Sequence, residues 1–370
     1  MHPYSQLSVA KRCENRTPYL QTPMKPALSL LLLALGLVAQ AADPNASTVI
    51  AFGACAHEDR PQPIWEAVVA AEPDLFIFTG DNIYADTNDI EVMKAKYAKL
   101  AAQPGYQKLL KTCPVLATWD DHDFGVNDGG KHYPMKKESA EICLDFFGVP
   151  KEDPRRTREG IYGSQMIGEE GRRVQIILLD TRYFRDDLEK YKEGETKPKN
   201  IVGWYKPTKD TSRTLLGEAQ WQWLEEELKK PADVRVIVSS IQVVSWEKGM
   251  ECWGNMPHER DRLFKLIETT DANGAFFISG DVHFTELSLA KGEGPYPLYD
   301  LTSSGLNQSP GKTWYTSVNS YRLPEKVYPG RNFGLIRIDW AAQDTKITLQ
   351  GCKESGEIAH EEVVPLSRLR

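Results

Sequence analysis

Four short clusters of metal-ligating residue types recur in this chain, each directly after an apolar run. Cys55 follows Thr48–Phe52, and Asp81 and Tyr84 follow Leu75–Phe78. Asp120, Asp121, His122 and Asp123 follow Pro114–Thr118, with Trp119 between, and Asp281 and His283 follow Ala275–Ser279. Taken singly, each has an ordinary reading: Cys55 as a small buried hydrophobe, Tyr84 as a packed aromatic, His283 as a satisfied core histidine. Four coincidences at four strand ends outweigh those readings. So many carboxylates cannot stay ionised at close range without cations, so the cluster implies bound metal. Oxygen-rich ligation favours hard ions while phenolate and thiolate favour iron, so a mixed pair or trio is expected rather than two zincs. Asp81 has two oxygens and could bridge ions about 4 Å apart, the separation that clamps an in-line phosphoryl displacement.

The elements that must position these residues alternate. Leu75–Phe78, flanked by Pro73 and Gly80, has the length and composition of an interior parallel strand, and ligands sit outside the carboxyl ends of such strands. Helices are predicted over Pro63–Ala71, Ile90–Ala102 (Val92, Met93, Tyr97 and Leu100 on one face), Glu138–Phe147, Gly217–Lys229 and Pro257–Thr269. Further strands are predicted at Val174–Leu179 and Val234–Ser240. Short β-type segments at Leu298–Ser303, Phe333–Asp339 and Lys346–Gln350 call for a second sheet packed on the first. The polar stretch Lys190–Thr214 reads as a long surface loop, and no internal repeat is visible. The fold class is therefore α/β (α+β) with parallel-rich sheets covered by helices.

At 370 residues, 41% of them hydrophobic, the chain can bury a full-sized core. Its net charge of −7 gives no basic footprint for holding a nucleic-acid backbone, so no stable nucleic-acid partner is expected. Pro26–Ala42, preceded by Met24-Lys25 and ending in Ala39-Gln40-Ala41, reads as a secretory signal too short to span a bilayer comfortably. Translation is expected to start at Met24, with residues 1–41 removed, residues 46–370 forming a single domain, and a periplasmic or extracellular location. Of Cys55, Cys113, Cys143, Cys252 and Cys352, the first is expected unpaired, beside other potential ligands. The remaining four allow two disulfides in three connectivities.

Gly53-Ala54-Cys55, Gly80-Asp81-Asn82-Ile83-Tyr84, Trp119-Asp120-Asp121-His122-Asp123 and Gly280-Asp281-Val282-His283 resemble the metal motifs of the PhoD-like (alkaline phosphatase D) metallophosphatases, within the calcineurin-like phosphoesterase superfamily. The resemblance runs from about Ile50 to Ser288, through Asp180–Phe184, Leu216–Trp221 and Ser239–Gln242. It implies a four-layer αββα sandwich of two mixed sheets. It further implies ferric iron held by Cys55, Asp81, Tyr84 and His283, with Asp81 bridging to one or two calcium-like ions on Asp121, Asp281 and Asp120; zinc, manganese or magnesium are the other candidates. His122 then matches the superfamily's catalytic acid, and Asp123 would orient its ring. The pattern departs from the family in three ways. No β-rich amino-terminal domain precedes the first motif, Gln242 stands where the superfamily's central histidine is usual, and the signal lacks twin arginines.

Together these readings predict a monomeric, exported phosphoesterase acting on small phosphate mono- or diesters by attack of a metal-bound hydroxide, with Arg182 and Asn127 gripping the phosphate. The rivals are a non-catalytic exported metal-binding module, a phospholipase C or nuclease-type phosphodiesterase on the same fold, and a glycosidase, which would need two acids across a sugar cleft.

Overall fold

The computed structural model describes residues 47–370; the signal and leader read over residues 1–41 lie outside the described residues. In chain order the strands are β1 Ser47–Gly53, β2 Leu75–Thr79, β3 Val115–Thr118, β4 Gly163–Ile167, β5 Val174–Leu178, β6 Val234–Val238, β7 Ala275–Ser279, β8 Thr285–Ala290, β9 Leu298–Ser303, β10 Arg322–Tyr328, β11 Asn332–Asp339, β12 Lys346–Lys353 and β13 Ile358–Pro365. The helices are α1 Trp65–Ala70, α2 Ile90–Ala102, α3 Pro104–Thr112, α4 Asp121–Phe124, α5 Lys136–Phe146, α6 Gly217–Leu228, α7 Pro257–Thr269 and α8 Lys312–Tyr315.

One sheet has the order β13-β12-β11-β1-β2-β3 and the other β10-β8-β9-β7-β6-β5-β4. Both are mixed: β1, β2 and β3 run parallel in the first, and β5, β6, β7 and β9 in the second. Side-chain alternation shows the layering. Ile50 and Phe52 of β1 and Leu75 and Ile77 of β2 join a core shared with Val236, Phe277, Leu287 and Leu301 of the other sheet. Their neighbours Ala51, Phe76 and Phe78 face the opposite way, against Trp65, Met93, Leu109 and Leu144 of α1, α2, α3 and α5. Trp221 and Leu224 of α6 and Leu263 and Ile267 of α7 cover the second sheet. The result is the αββα sandwich with two mixed sheets.

Local chemistry explains the helix boundaries. Asp89 caps α2, its carboxylate accepting from the N–H groups of Glu91 and Val92, and Pro104 at the start of α3 ends α2. Met93, Tyr97 and Leu100 form the buried stripe, but Val92, expected beside them, is 40% exposed, because it sits one position off that face. Strands β4, β8, β10 and β13 were not evident from the sequence. β10 and β13 are edge strands in which charged residues (Arg322, Glu325 and Lys326; Glu361 and Glu362) interrupt the apolar ones, so they lack the continuous run that marks an interior strand.

The cysteine pairing expected from the sequence does not occur. Cys113, Cys143, Cys252 and Cys352 are all free and buried, as is Cys55. Cys113, Cys143 and Cys352 pack as small apolar side chains in the core outside the first sheet, while Cys252 lies in the loop after β6.

Candidate metal centre

The parallel strands of both sheets end at one rim, and each delivers its polar residues just past its last hydrogen bond. Cys55 (φ 63°), Asp81 (φ 49°), Asp281 (φ 73°) and His283 (φ 64°) all adopt left-handed backbone, a conformation that non-glycine residues rarely hold and that concentrates at functional sites. Gly80 (φ 118°) lets β2 end against the start of α4; a Cβ there would lie 2.5 Å from that of Asp120.

The ligating atoms gather in two foci joined by Asp81. Cys55, Asp81 and His283 form one group, and Asp120, Asp121 and Asp281 another, with Asp81, Asp121 and His122 overlapping both; within each group the atoms lie within 4.8 Å of one another. Oδ2 of Asp81 accepts from the Cys55 thiol (3.3 Å) and the Tyr84 hydroxyl (3.4 Å), and that hydroxyl lies 3.2 Å from Nε2 of His283. Oδ1 of Asp81 faces the other way and accepts from the His122 N–H at 3.4 Å. Oδ2 of Asp120, Oδ1 of Asp121, Oδ1 of Asn82 and the Thr79 hydroxyl are buried without any hydrogen-bond partner. Orphaned buried oxygens at this density cost free energy unless something else satisfies them, and cations fit that donor set.

Electrostatics point the same way. Burial, reinforced by neighbouring carboxylates, pushes Asp81 and Asp281 well above the usual carboxylate range. It also lifts Asp123 to about 8, and Asp120 to about 6 despite Arg182. Burial raises the Cys55 thiol and the Tyr84 phenol too, and lowers His283 to about 4, which keeps that imidazole in the neutral, ligating form. Only Asp121 is held down, to about 2, because Arg182 and His122 outweigh its burial. The protein's own groups do not keep these acids ionised together; positive charge at the two foci would.

His122 is oriented differently from expectation. Its Nδ1 lies 2.7 Å from Oδ2 of Asp86, not near Asp123. A carboxylate only accepts, so Nδ1 donates and Nε2, which has no protein partner, is the atom left to hand over a proton. Asp123 is committed elsewhere: its oxygens accept from the N–H of Asp120 (2.7 Å) and the amide of Asn82 (2.5 Å), closing a capping box on α4. Burial lowers the proton affinity of His122, but Asp81, Asp86 and Asp121 outweigh it and raise the imidazole to about 11.

Arg182 does not face open space. It is fully buried, with Nε on Asp120 (2.6 Å) and its other nitrogens on Glu251 (3.0 and 2.7 Å), so its donors hold ligand residues instead of an incoming phosphate. Asn127 is exposed after α4 and makes no hydrogen bond to the cluster. Gln242 bonds Glu286 (2.7 Å) and Thr302 (2.8 Å) in the second sheet, and Ser240 instead reaches the centre, donating to Asp120 at 2.6 Å. Sequence reasoning missed Asp86, Glu251 and Asp128. Asp86 ends the same acidic stretch as Asp81 and was findable; Asp128 and Glu251, which group with Asp121, sit in loops without periodicity and gave no signal.

Two packed mixed sheets whose strand ends converge on a thiol, carboxylate, phenol and imidazole centre define a protein of the metallophosphoesterase type. The sequence profile of the PhoD-like phosphatases matches residues 50–300, and the chain belongs to that family. It is 24% identical over 279 residues to alkaline phosphatase D of Bacillus subtilis (strain 168), a match covering 63% of this chain and 45% of that protein; the chain thus spans less than half the length of this relative. In fold it is similar to a solved structure of PhoD (TM-score 0.63, 17% identity, 86% of this chain and 68% of that one). It is also similar to GAP50, described as the anchor in the inner membrane complex of Plasmodium (TM-score 0.54, 12% identity, 86% of this chain and 89% of that one). No described helix is long and apolar enough to cross a membrane.

Proposed function

We propose that this chain is a metal-dependent phosphoric ester hydrolase acting on small phosphate mono- or diesters. The observation that carries the reading is Asp81, whose two oxygens face a Cys55–Tyr84–His283 focus on one side and the Asp121–His122 side on the other. A sulfur, a phenol, an imidazole and a carboxylate suit ferric iron at the first focus. The oxygen set of Asp120, Asp121 and Asp281, extended by the orphaned oxygen of Asn82, suits one or two calcium ions, with zinc, manganese and magnesium as the alternatives. Bound cations supply the charge that offsets phosphate oxygens and the acidification of the attacking water.

The chain's own residues do the rest. Asp86 fixes the tautomer and plane of His122, whose Nε2 protonates the departing oxygen. Arg182 holds Asp120, and Glu251 keeps Arg182 in place. Asp123 stabilises the first turn of α4, from which Asp121 and His122 project. Phosphate contact by Arg182 would require this ion pair to open; contact by Asn127 would require the segment after α4 to fold inward.

We read the protein as exported and monomeric, with cleavage after Ala41, which amino-terminal sequencing of exported protein checks. A non-catalytic role is the competing reading, since GAP50, similar in fold, is described as an anchor. Elemental analysis of the purified protein, with hydrolysis of one aryl monoester and one aryl diester, decides between them: iron plus a second metal together with turnover supports the enzyme, and a metal-loaded chain that cleaves neither ester refutes it.

A further inference from the structure

The long polar stretch after β5 folds back on itself instead of spreading over the surface, and it forms one wall of a half-open cavity of about 380 Å³. The backbone of Gly203 and Tyr205 pairs with Lys248 and Gly249 (2.9 and 2.8 Å), which fixes two walls against each other. Tyr191, Tyr205, Trp246, Ile201 and Val318 line the cavity, so its surface is mostly aromatic and apolar. Lys199, Glu247 and Asn255 also line it, and of these three only Asn255 is buried. Asn255 is only 2% exposed, and its Oδ1 is committed to the Cys252 N–H at 2.8 Å, leaving its amide nitrogen without a partner in the protein. The bond to Oδ1 also fixes the amide orientation, so the unused group is a donor.

One wall of the cavity is linked to the metal centre. The Tyr205 hydroxyl donates to Asp128 at 2.5 Å, and the Asp128 N–H donates to Asp121 at 2.7 Å, so a single ring separates the cavity from the acidic focus. Trp314 of α8, four residues before Val318, stacks on His283 with ring centroids 6.2 Å apart. A group lodged in the cavity is therefore separated from the acidic focus by the Tyr205 ring and Asp128.

We propose that this cavity holds a planar heteroaromatic group of the substrate, with a nucleobase as the fitting class; the proposal rests on the phosphoesterase reading for its catalytic consequence. Aromatic walls accept the face of any base, and the free amide of Asn255 meets a ring nitrogen or carbonyl acceptor. An acyl chain fills the same volume but offers that donor no acceptor and shuts it off from water.

Nucleoside without phosphate tests the pocket independently of hydrolysis. Adenosine or uridine is expected to quench the protein's tryptophan fluorescence, and the quench is expected to vanish in Trp246→Phe, which keeps a ring but removes that fluorophore. In hydrolysis, the ratio of kcat/KM for a nucleoside 5′-monophosphate over that for glycerol phosphate is expected to fall about tenfold or more in Trp246→Ala, the scale of one lost stacking contact. It is also expected to fall in Asn255→Asp, which preserves the acceptor for Cys252. Turnover of both esters with no nucleoside quenching and an unchanged ratio overturns the pocket alone. Quenching with no turnover of either ester overturns the phosphoesterase reading and leaves the pocket standing. Quenching by decyl phosphate but not by nucleoside makes it an acyl site and overturns the proposal.

Discussion

If His122 donates a proton through Nε2 while Asp86 holds Nδ1, removing each has a different, calculable effect. Deleting a general acid costs about two to four orders of magnitude when the leaving group is poor, so His122→Ala is expected to lose that much on an alkyl phosphate. A nitrophenolate departs with little need for protonation, and its hydrolysis is expected to fall far less. Asp86 acts only through His122. Hydrogen bonds to charged groups contribute about 1.5–3 kcal/mol. The Asp86 carboxylate, however, is 42% exposed, and solvent screening reduces this one to about 1 kcal/mol, or roughly fivefold in rate. Asp86→Asn is therefore expected to cost roughly fivefold on the alkyl ester and little on the aryl ester. The assay is steady-state hydrolysis of the two esters by metal-loaded wild type and variants, with metal content measured in each. Equal losses across leaving groups, or metal lost along with activity in His122→Ala, would show that His122 is a ligand or a structural residue and refute the assignment.

Three further outcomes are expected. Tyr84→Phe is expected to abolish the visible phenolate-to-iron absorption of the iron-loaded protein while circular dichroism is unchanged; a colourless wild-type holoprotein containing only zinc ends the iron assignment. Arg182→Met strands Asp120 as a buried acid without its cation, leaves Glu251 with Arg185 alone, and is expected to destabilise the fold by about 3–5 kcal/mol in urea melts, part of it regained when Asp120→Asn is added; a loss below about 1 kcal/mol contradicts the buried pairing. Glu286, buried between Lys248 and Arg322, has its pKa set by burial against those two charges, and the charges hold it down to about 2 from 4.5. A depressed folded pKa gives stability that is complete above about pH 4.5 and is lost as pH falls toward 2, about 3 kcal/mol in scale. The stability gap between wild type and Glu286→Gln should therefore narrow over that window, and a gap constant from pH 5 to pH 2.5 rules the effect out.

Much of the fold was legible because the interior strands are continuous apolar runs bounded by glycine, proline or acid. Phe76 and Phe78 serve one face of β2 and Leu75 and Ile77 the other, so no alternation was needed to recognise the strand. Edge strands such as Arg322–Tyr328 escaped because their residues answer to solvent and to one neighbour only. The candidate ligand residues gather for a related reason: each follows its strand within a few residues, so sequence adjacency stands in for spatial position. That substitution fails for residues delivered by loops. Glu251 reaches Arg182 across 69 residues with no pattern to announce it, and the disulfides expected from cysteine parity gave way to five separately buried thiols.

Asp123 and Arg182 show what sequence position cannot decide. Both occupy the strand-end neighbourhood that marks a functional residue, yet their polar atoms are spent inside the protein. Asp123 caps α4, and Arg182 neutralises Asp120 and Glu251 where no water reaches. That internal use has a functional consequence. An arginine enclosed among Asp120, Asp121 and Glu251 offsets part of the repulsion before any cation binds, which allows the acidic focus to fold in advance of its metals. Cys55, Asp81 and His283 are paired with no buried arginine, Asp81 being relieved only in part by His122, and all three hold left-handed backbone. The first focus therefore depends on bound metal for its charge balance more than the second does. Chelation of the metal-loaded protein should accordingly loosen the loops after β1, β2 and β7, read as faster amide exchange there, before it affects α4 and the Arg182 pairing. Faster exchange in α4 first, with the β1 and β7 loops unchanged, would reverse that order of dependence.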